Sequence, residues 1–418
     1  MQTIERAYDD LDISSFDFWT RTPRERDHIF RELRTERPIS WHRPVEDGGG
    51  NRAATGGFWA VTSHRHVREA YLMTDVLLSG NGVFYEDVPE EANIGMSFIA
   101  MDAPRHTQLR RLVSQAFTAR RITGLEDSAR VHANAIIDRM IDEGPADFVT
   151  QAAAPMPTEV MADLIGIDSP SERTWFSAKA DDFANWNEPE KLARYGVDHP
   201  GLVMVQTIID MRAAFKELAD DRRRHCRNDF ISDLVEARVE GQSLTDDEIG
   251  NFLCLMVVAG TDTTKQTMSH AMHGLTAYPD ARQALLHDFD GTIDSGVEEM
   301  VRYSSVGMGF RRTAARDLEL GGQQILQGEK VVLFIISGNR DEQVFDDPWR
   351  FDVRRPNVNR HIAMGVGPHH CLGSALAKLE LRVFFGELLA RIPKIEAGDP
   401  VYAIGNHMHA VRTLPIHF

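Results

Sequence analysis

The chain has 418 residues, 42% of them hydrophobic and 26% charged, and its formal net charge is −17 at pH 7. That acidic balance argues against nucleic acid or an anionic membrane as the main partner, since both require a basic surface. Its three cysteines, Cys226, Cys254 and Cys371, stand too far apart for a disulfide framework or a paired-cysteine metal site.

The organisation of the chain predicts one domain. Its length would allow two or three average domains, but no internal repeat and no linker rich in proline or serine divides it. Helical periodicity dominates, so we expect a single domain over residues 1–418, mainly α with a small β-rich lobe. Residues Met1–Arg6 show neither a signal-peptide core nor an anchor, and no run reaches the roughly 20 apolar residues of a membrane helix. We therefore expect a soluble, cytoplasmic protein without a membrane anchor.

Strand patterns are short and confined mainly to three places. Each pairs a β-branched or aromatic run with a second run across a turn. In chain order they predict a hairpin of Ile39–His42 with Phe58–Thr62 across the glycine-rich loop Asp47–Gly57, a second of Leu318–Leu320 with Ile325–Leu326 around Gly321-Gly322 that continues to Val331–Ile335, and a third of Tyr402–Ile404 with Val411–His417.

Two segments are predicted to be irregular covers. Asn81–Ser97 contains glycines and a proline, and Ala184–Gly201 follows a stretch with Trp175, Phe176 and Phe183. Long irregular loops in a compact domain are often functional lids. Ordinary surface loops are an equally good interpretation of both.

A long helix is predicted after Thr245, a favourable N-cap residue. Its apolar stretch is interrupted by a polar cluster at Thr261–Thr264, which is costly in a buried helix unless the polar groups are used. The Thr263 hydroxyl stands four residues after Ala259 and can bond to that carbonyl, which opens a groove suited to O₂ and water. The alternative is a threonine-rich helix satisfied by such bonds and without a further role.

The stretch Met364–Gly373 places a cysteine behind a glycine-containing turn and before a second helical pattern. A helix N-terminus favours the thiolate form of Cys371, and a thiolate is a strong axial ligand for haem iron. Gly365 and Gly367 allow the backbone to approach a flat ligand closely, because they carry no Cβ. The alternatives are a buried structural cysteine or zinc bound by 369–371, although no second ligand pair stands nearby.

This stretch closely resembles the haem-binding loop of the cytochromes P450, whose pattern is Phe-Gly-x-Gly-x-His-x-Cys-x-Gly. Every fixed position matches except the first, where this chain has Met364. The resemblance implies the fold of that family, with haem b between the long helix and the loop, and Cys371 as the metal ligand beside Gly365. In the family the missing ring packs near the cysteine and tunes the iron, so Met364 leaves the iron potential open. The lack of an anchor resembles the bacterial members.

Two further motifs, one on the long helix and one after it, resemble the same family. Residues 259–264 match its oxygen-binding signature, which implies that Ala259 lies beside the haem and that Asp262 and Thr263 form an acid–alcohol pair for proton delivery. We expect Lys265, just after this pair, to face away from the haem. The Glu299-x-x-Arg302 motif implies a structural ion pair locked to a later arginine, assigned as Arg355.

The haem propionates require cations. His106 and Arg110 stand at i, i+4 on one predicted helix face and resemble the family's His-x-x-x-Arg clamp. By the same resemblance, Arg312 and His369 are two further propionate contacts. The arginines beside two of these residues, Arg111 and Arg311, are expected to be solvated or to face a partner.

The function that this resemblance implies is a monooxygenase acting on a hydrophobic small molecule, such as a sterol, a terpenoid or a branched lipid. The chain has no flavin or nicotinamide pattern, so we expect a monomer that takes electrons from a separate ferredoxin or flavodoxin. Such donors are usually acidic, and the candidate docking residues are Arg111, Arg120, Lys378 and Arg382. The alternatives are a haem-binding sensor or carrier without turnover, and a peroxide-driven peroxygenase.

The substrate pocket is predicted by family position. Most of its candidate residues are apolar, which indicates a hydrophobic guest. The candidate walls are Met96, Phe98, Phe183, Val258, Ala259, the segment 306–310 with Met308 and Gly309, His407 and Met408.

Overall fold

The computed structural model describes residues 6–46, 56–117, 119–186, 188–239 and 241–418. Most of these residues are helical, as the periodicity predicts. The helices are α1 (Phe16–Thr20), α2 (Pro23–Glu36), α3 (His64–Leu72), α4 (Glu90–Gly95), α5 (Arg105–Ala116), α6 (Ala119–Gly124), α7 (Glu126–Glu143), α8 (Pro155–Ile165), α9 (Pro170–Ala184), α10 (Pro189–Tyr195), α11 (Pro200–Arg224), α12 (Phe230–Glu236), α13 (Asp246–Ala277), α14 (Pro279–His287), α15 (Phe289–Ser304), α16 (Ile335–Gly338) and α17 (Ser374–Arg391).

The strands are short and form one larger sheet with four small pairs. They are β1 (Ile39–His42), β2 (Phe58–Val61), β3 (Leu77–Leu78), β4 (Arg238–Val239), β5 (Gln242–Ser243), β6 (Phe310–Ala314), β7 (Leu318–Leu320), β8 (Gln323–Ile325), β9 (Lys330–Leu333), β10 (Glu396–Ala397), β11 (Val401–Tyr402), β12 (Val411–Thr413) and β13 (Ile416–His417). The prediction of a mainly α fold with a small β-rich lobe is confirmed. That residues 1–418 form a single domain stays a prediction.

The five-stranded sheet has the order β1-β2-β9-β6-β3. The predicted first hairpin is confirmed, with Ile39 opposite Val61 in an antiparallel pair. Residues 47–55 of its predicted loop lie outside the described residues. The second hairpin is also confirmed as β7 with β8, but the strand after it runs parallel to β2 and antiparallel to β6. β9 therefore joins the larger sheet and not the β7–β8 hairpin, although that hairpin is its neighbour in sequence.

The C-terminal strands differ in part from the prediction. β11 pairs with β12, as expected, whereas β13 pairs with β10, a strand that the sequence analysis missed. The two predicted covers also contain short helices, α4 within 81–97 and α10 within 184–201. α10 begins with Pro189 in its first turn and ends at Gly196, whose φ of 66° is left-handed. In this second segment, proline and glycine delimit a short helix.

Helix α13 is the centre of the fold. It begins at Thr245 with a capping box, in which Thr245 and Glu248 satisfy each other's backbone N–H groups. It runs for 32 residues and packs against α8, α9, α11 and α15, so most of its length is buried. Among the described residues, no helix is both long and apolar enough to cross a bilayer.

Candidate active site

A cavity of about 250 Å³ lies between α13 and the loop before α17. Ala259, Gly260 and Thr263 line it from α13. Cys371 and Leu372 line it from the loop, about a hundred residues further along the chain. The structure therefore brings the predicted thiol and the predicted alcohol into one cavity.

The loop that carries Cys371 is shaped by its own backbone. The Cys371 N–H donates to the Met364 carbonyl at 2.7 Å, and the His370 N–H donates to the Gly367 carbonyl at 3.0 Å. Gly365 has a φ of 70°, in the left-handed region. A Cβ on it would also lie 3.2 Å from the His369 carbonyl oxygen. Both the φ and this close approach require glycine, so the loop holds Cys371 in one place.

The electrostatics around the Cys371 sulfur are mixed. Burial raises the pKa of the thiol, while the Gly373 N–H at the start of α17 and the Arg110 and Lys378 cations lower it. The expected effect of the helix start is present, but the loss of solvation is larger. A metal cation at the sulfur favours the thiolate directly. Cys371 is accessible from the cavity, where a bound metal cation would favour its thiolate.

The four predicted propionate contacts converge at one edge of the cavity, which Arg110, Arg312 and His369 line directly. The His106 and His369 rings lie 4.2 Å apart. Arg110 donates to the His370 carbonyl at 2.5 Å, and Arg312 donates to the Arg311 carbonyl at 2.8 Å. These bonds leave most of both guanidinium groups for another acceptor.

The edge of the cavity that these four residues form is rich in positive charge, although the Asp102 carboxylate acts on His106 and Arg312. Burial, followed by repulsion from Arg312, His106 and Arg110, lowers the pKa of His369 to about 3. Among the described residues, His106 Nε2 is buried without a hydrogen-bond partner. The same part of the chain shows no ion pair between a carboxylate and Arg110 or Arg312. Two carboxylates of a bound group would complete this cluster, and the residues present therefore fit haem propionates.

Thr263 and Asp262 lie on different sides of α13. The Thr263 hydroxyl donates to the Ala259 carbonyl at 2.6 Å, as predicted, and Thr263 lines the cavity. Asp262 lies behind it, with a side chain only 1% exposed, in an ion pair with Lys265. Lys265 does not line the cavity, but it is buried and charged rather than directed to solvent. A buried ammonium requires carboxylate partners. Lys265 has such a partner in Asp262, the predicted acid.

A buried ion-pair network supports the chain before the loop. Arg302 donates to Glu299 at 2.6 and 2.7 Å, and Arg355 donates to Glu299 at 3.2 Å, which agrees with the assigned trio. Glu299 and Arg302 are 0% exposed. Arg302 also donates to the carbonyls of Asn339 and Pro348 at 2.9 Å, so the network ties α15 to the segment that leads to the cysteine loop.

The structure places some of the predicted substrate walls in this cavity and others outside it. Phe98, Ala259, Val306, Gly307 and Phe310 line the cavity. In the described part of the chain, the other predicted positions lie elsewhere: Met96, Phe183, Val258, Met308, Gly309, His407 and Met408.

These seven positions have identifiable partners. Met308 packs with Phe334 in the apolar cluster under the β-lobe. Gly309 contacts the Leu333 carbonyl so closely that a Cβ would lie 2.6 Å from it. Phe183 and His407 both pack against Phe84 with tilted rings, whose centroids lie 6.4 and 4.8 Å away. Met96, Val258 and Met408 are likewise packed in apolar clusters.

The sequence analysis missed several walls. Phe252, Leu255 and Met256 precede Ala259 at helical spacing, so the face of α13 that carries Ala259 could have identified them. Met161 from α8 and Phe117 after α5 also line the cavity, and no local signal marks them. Their position depends on tertiary packing alone.

The basic residues outside the cavity also differ from expectation. Arg311 is buried and bonds to Asp87 at 2.8 Å, so it is not solvated. Lys378 bonds to Glu298 at 2.6 Å, and Arg382 forms an ion pair with Asp294. Arg111 is exposed, while the side chain of Arg120 lies outside the described residues.

Comparisons with known proteins place this site in a family. The family model for cytochrome P450 matches residues 202–392. A methyl-branched lipid omega-hydroxylase of Mycobacterium tuberculosis is 36% identical over 97% of this chain and 94% of its own length. A cytochrome P450 of Mycobacterium marinum, solved in complex with pseudoionone, is 43% identical over 100% of both chains, with a TM-score of 0.94. The chain belongs to the cytochrome P450 family.

Other P450 relatives are named for related chemistry. A linalool 8-monooxygenase of Pseudomonas putida is 35% identical over 88% of this chain and 89% of its own length. This P450 is therefore an oxidoreductase that incorporates O₂, and its cofactor is haem b ligated by a cysteine thiolate. The cavity residues described above are those with which this P450 would hold that group.

Proposed function

We propose that this P450 inserts one oxygen atom into a C–H bond of a hydrophobic small molecule of the sterol, terpenoid or branched-lipid class. The observation that carries the proposal is the cavity itself, which Cys371 and Thr263 both line and whose other walls are largely apolar. The overall step consumes O₂, two electrons and two protons, and yields an alcohol and water.

The substrate class is supported by the walls of the cavity and by the relatives. Phe98, Phe252, Leu255, Val306 and Phe310 present hydrocarbon surface, which a flexible apolar substrate buries favourably. The similar proteins named above act on methyl-branched lipids and linalool, and a further relative from Rhodococcus jostii is named steroid C26-monooxygenase. All three substrate types are apolar chains or rings.

Each polar residue of the site has a distinct part in the proposal. Thiolate-ligated haem supplies the reductive activation of O₂ and the oxygen transfer when it is bound. Cys371 would hold the metal, and the cations Arg110 and Arg312 would hold the propionates. Thr263 keeps a hydroxyl at the cavity surface by its bond to Ala259, and the apolar walls exclude other water. Asp262 supplies that hydroxyl with protons.

Thr263→Ala is expected to divert reducing equivalents from product to hydrogen peroxide. Without the hydroxyl, proton delivery fails, so product formation should fall by about 100-fold, the lower end of what proton-transfer groups contribute. Product, peroxide and O₂ consumption are measured with lipid, steroid and terpenoid substrates in a reconstituted reductase system.

Thr261→Ala is the matched control, since the Thr261 hydroxyl makes the same bond to the Val257 carbonyl, at 2.7 Å, but does not line the cavity. Equal losses in both variants would contradict the assigned role of Thr263. A wild-type protein that consumes no O₂ with any substrate would be a carrier. One that works only with added peroxide would be a peroxygenase.

We further propose that a separate acidic ferredoxin or flavodoxin reduces this P450 at a basic groove. The groove has a volume of about 860 Å³ and shares Met364, Gly365 and His370 with the cavity, so it reaches the cysteine loop from outside. Arg65, Arg68 and Arg360 line it and are exposed, so their charges face solvent. The predicted Lys378 also lines this groove, paired with Glu298, whereas the predicted Arg382 does not line it and pairs with Asp294. A monomeric state and a cytoplasmic location stay predictions from the sequence.

The double substitution Arg65→Glu/Arg68→Glu is expected to slow reduction by the donor by about 10-fold or more at low salt, because electrostatic steering changes association rates by 10–10³. The difference should shrink as ionic strength rises. Stopped-flow reduction of the ferric protein measures both effects. Arg139→Glu, an exposed arginine on α7 outside the groove, is the control. A double variant that is reduced at the wild-type rate would rule out this groove.

A further inference from the structure

Lys265 occupies an unexpected environment for a lysine in the middle of α13. Its side chain is 11% exposed, and its Nζ donates to Asp181 Oδ1 on α9 at 2.9 Å. The same ammonium forms an ion pair with Asp262 Oδ1, one turn earlier on α13. One positive charge is therefore shared between the proposed proton-supplying acid and a different helix.

The surrounding charges form a balanced cluster across three helices. Lys191 on α10 bonds to Asp181 Oδ2 at 2.6 Å, and Arg194 on α10 pairs with Asp182 on α9. With Asp262 and Lys265, the cluster holds three acidic and three basic side chains. Asp181 and Asp182 each contact more than one cation, whereas Lys265 is the only ion-pair partner of Asp262 among the described residues.

The charge state of Asp262 therefore depends on Lys265. Burial raises the pKa of the Asp262 carboxyl, and the Lys265 ammonium opposes that shift. A buried carboxylate without a cation takes up a proton, because an unpaired charge in the interior is costly. Asp181 differs, since its side chain is 45% exposed and it contacts two lysines.

We propose that Lys265 is a positioning residue that couples the Asp262 carboxylate to helices α9 and α10. While Asp181 is in contact, the ammonium is shared and stabilises each carboxylate less than it would stabilise one alone. If α9 moves away, the whole charge acts on Asp262 and holds it as a carboxylate, which opposes its carrying a proton. Proton supply is then greatest when α9 is packed on α13 and Asp181 contacts Lys265. This inference rests on the proposed oxygenase function.

Asp181→Asn tests the coupling, because it leaves Lys265 with Asp262 alone and so imitates withdrawal of α9. We expect the share of reducing equivalents lost to hydrogen peroxide to rise at least about threefold, since a shift of about half a pKa unit changes a proton equilibrium by that factor. Glu159→Gln is the matched control. It removes the ion pair between Glu159 on α8 and Arg173 on α9, whose other partners Asp163 and Ile167 lie outside the cluster, and it should leave the peroxide share unchanged.

Two variants of Lys265 provide readouts that need neither substrate nor reductant. In the ferric holoprotein, Lys265→Met should increase amide hydrogen exchange in α9 and α10. It should also introduce an infrared carbonyl band of a protonated carboxylic acid, which disappears when Asp262→Asn is added. Lys265→Arg keeps the charge and should restore wild-type exchange and remove the band, because a guanidinium can pair with both carboxylates.

The outcomes separate this inference from the proposed function. Wild-type exchange in Lys265→Met, or a wild-type peroxide share in Asp181→Asn, would overturn the coupling even in an active oxygenase. A wild-type protein that oxidises no substrate would contradict the proposed function. In that case the exchange and infrared measurements still decide whether Lys265 ties Asp262 to α9.

Discussion

Replacement of Cys371 by serine is expected to abolish oxygenase activity, with a loss of at least about 100-fold, because even residues that only support a metal ligand cost 10- to 100-fold when removed. A serine hydroxyl has neither the charge nor the polarisable electrons with which a thiolate donates to iron. The ferrous carbonyl spectrum measures the ligand directly. The red-shifted band of the thiolate-ligated protein should vanish in Cys371→Ser, together with substrate oxidation.

Cys226→Ser is the control for this experiment. Cys226 is exposed on the segment after α11 and does not line the cavity, so its loss should change neither the spectrum nor the activity. If Cys371→Ser retained a thiolate spectrum, or if Cys226→Ser lost it, the assignment of the metal ligand would be wrong. Cys254 is less suitable as a control because it is buried within α13.

Glu299→Gln is expected to lower the free energy of unfolding by about 3–5 kcal/mol, the cost of removing one partner from a buried ion pair. The substitution leaves the buried charges of Arg302 and Arg355 without this carboxylate. The Asp352 N–H also donates to Glu299, at 2.9 Å, so the segment before the cysteine loop loses an anchor. Denaturant unfolding of the holoprotein, followed by both circular dichroism and haem absorbance, measures the effect.

Asp294→Asn on the same helix is the matched control. Asp294 pairs with Arg382, but its side chain is 83% exposed, and exposed pairs contribute about 0–1 kcal/mol. Both substitutions neutralise one carboxylate of α15, so a difference between them reports burial rather than helix position. Similar small losses in both variants would show that the Glu299 network does not stabilise the fold.

The acidic composition and the basic groove have different consequences. The net charge of −17 is a property of the whole surface, whereas Arg65, Arg68 and Arg360 meet at one groove beside the cysteine loop. A docking protein experiences the local potential at short range, because salt screens charges beyond about 8–10 Å. The overall charge of −17 therefore does not conflict with the proposed acidic electron donor.

Parts of the site that depend on neighbouring residues were predictable from sequence. The Gly365 turn, the bond of Thr263 to Ala259 and the pairing of Glu299 with Arg302 join residues within a few positions of each other. Local backbone geometry and helical spacing decide such contacts, whatever the distant segments do. The convergence of His106 and Arg110 with Arg312 was expected only from the resemblance to the P450 family.

Contacts between distant segments were decided by the tertiary structure. Lys265 was expected to face away from the haem as an ordinary polar residue, but its partner Asp181 is 84 positions away. The walls Met161 and Phe117 come from other helices, while Met308 and Gly309 turn towards the β-lobe. By itself the sequence determined which groups the site has, because local backbone and helix rules position them. Which charges compensate one another and which side chains line the cavity depends on how α9, α13 and the β-lobe pack, since those energies arise only when the segments meet.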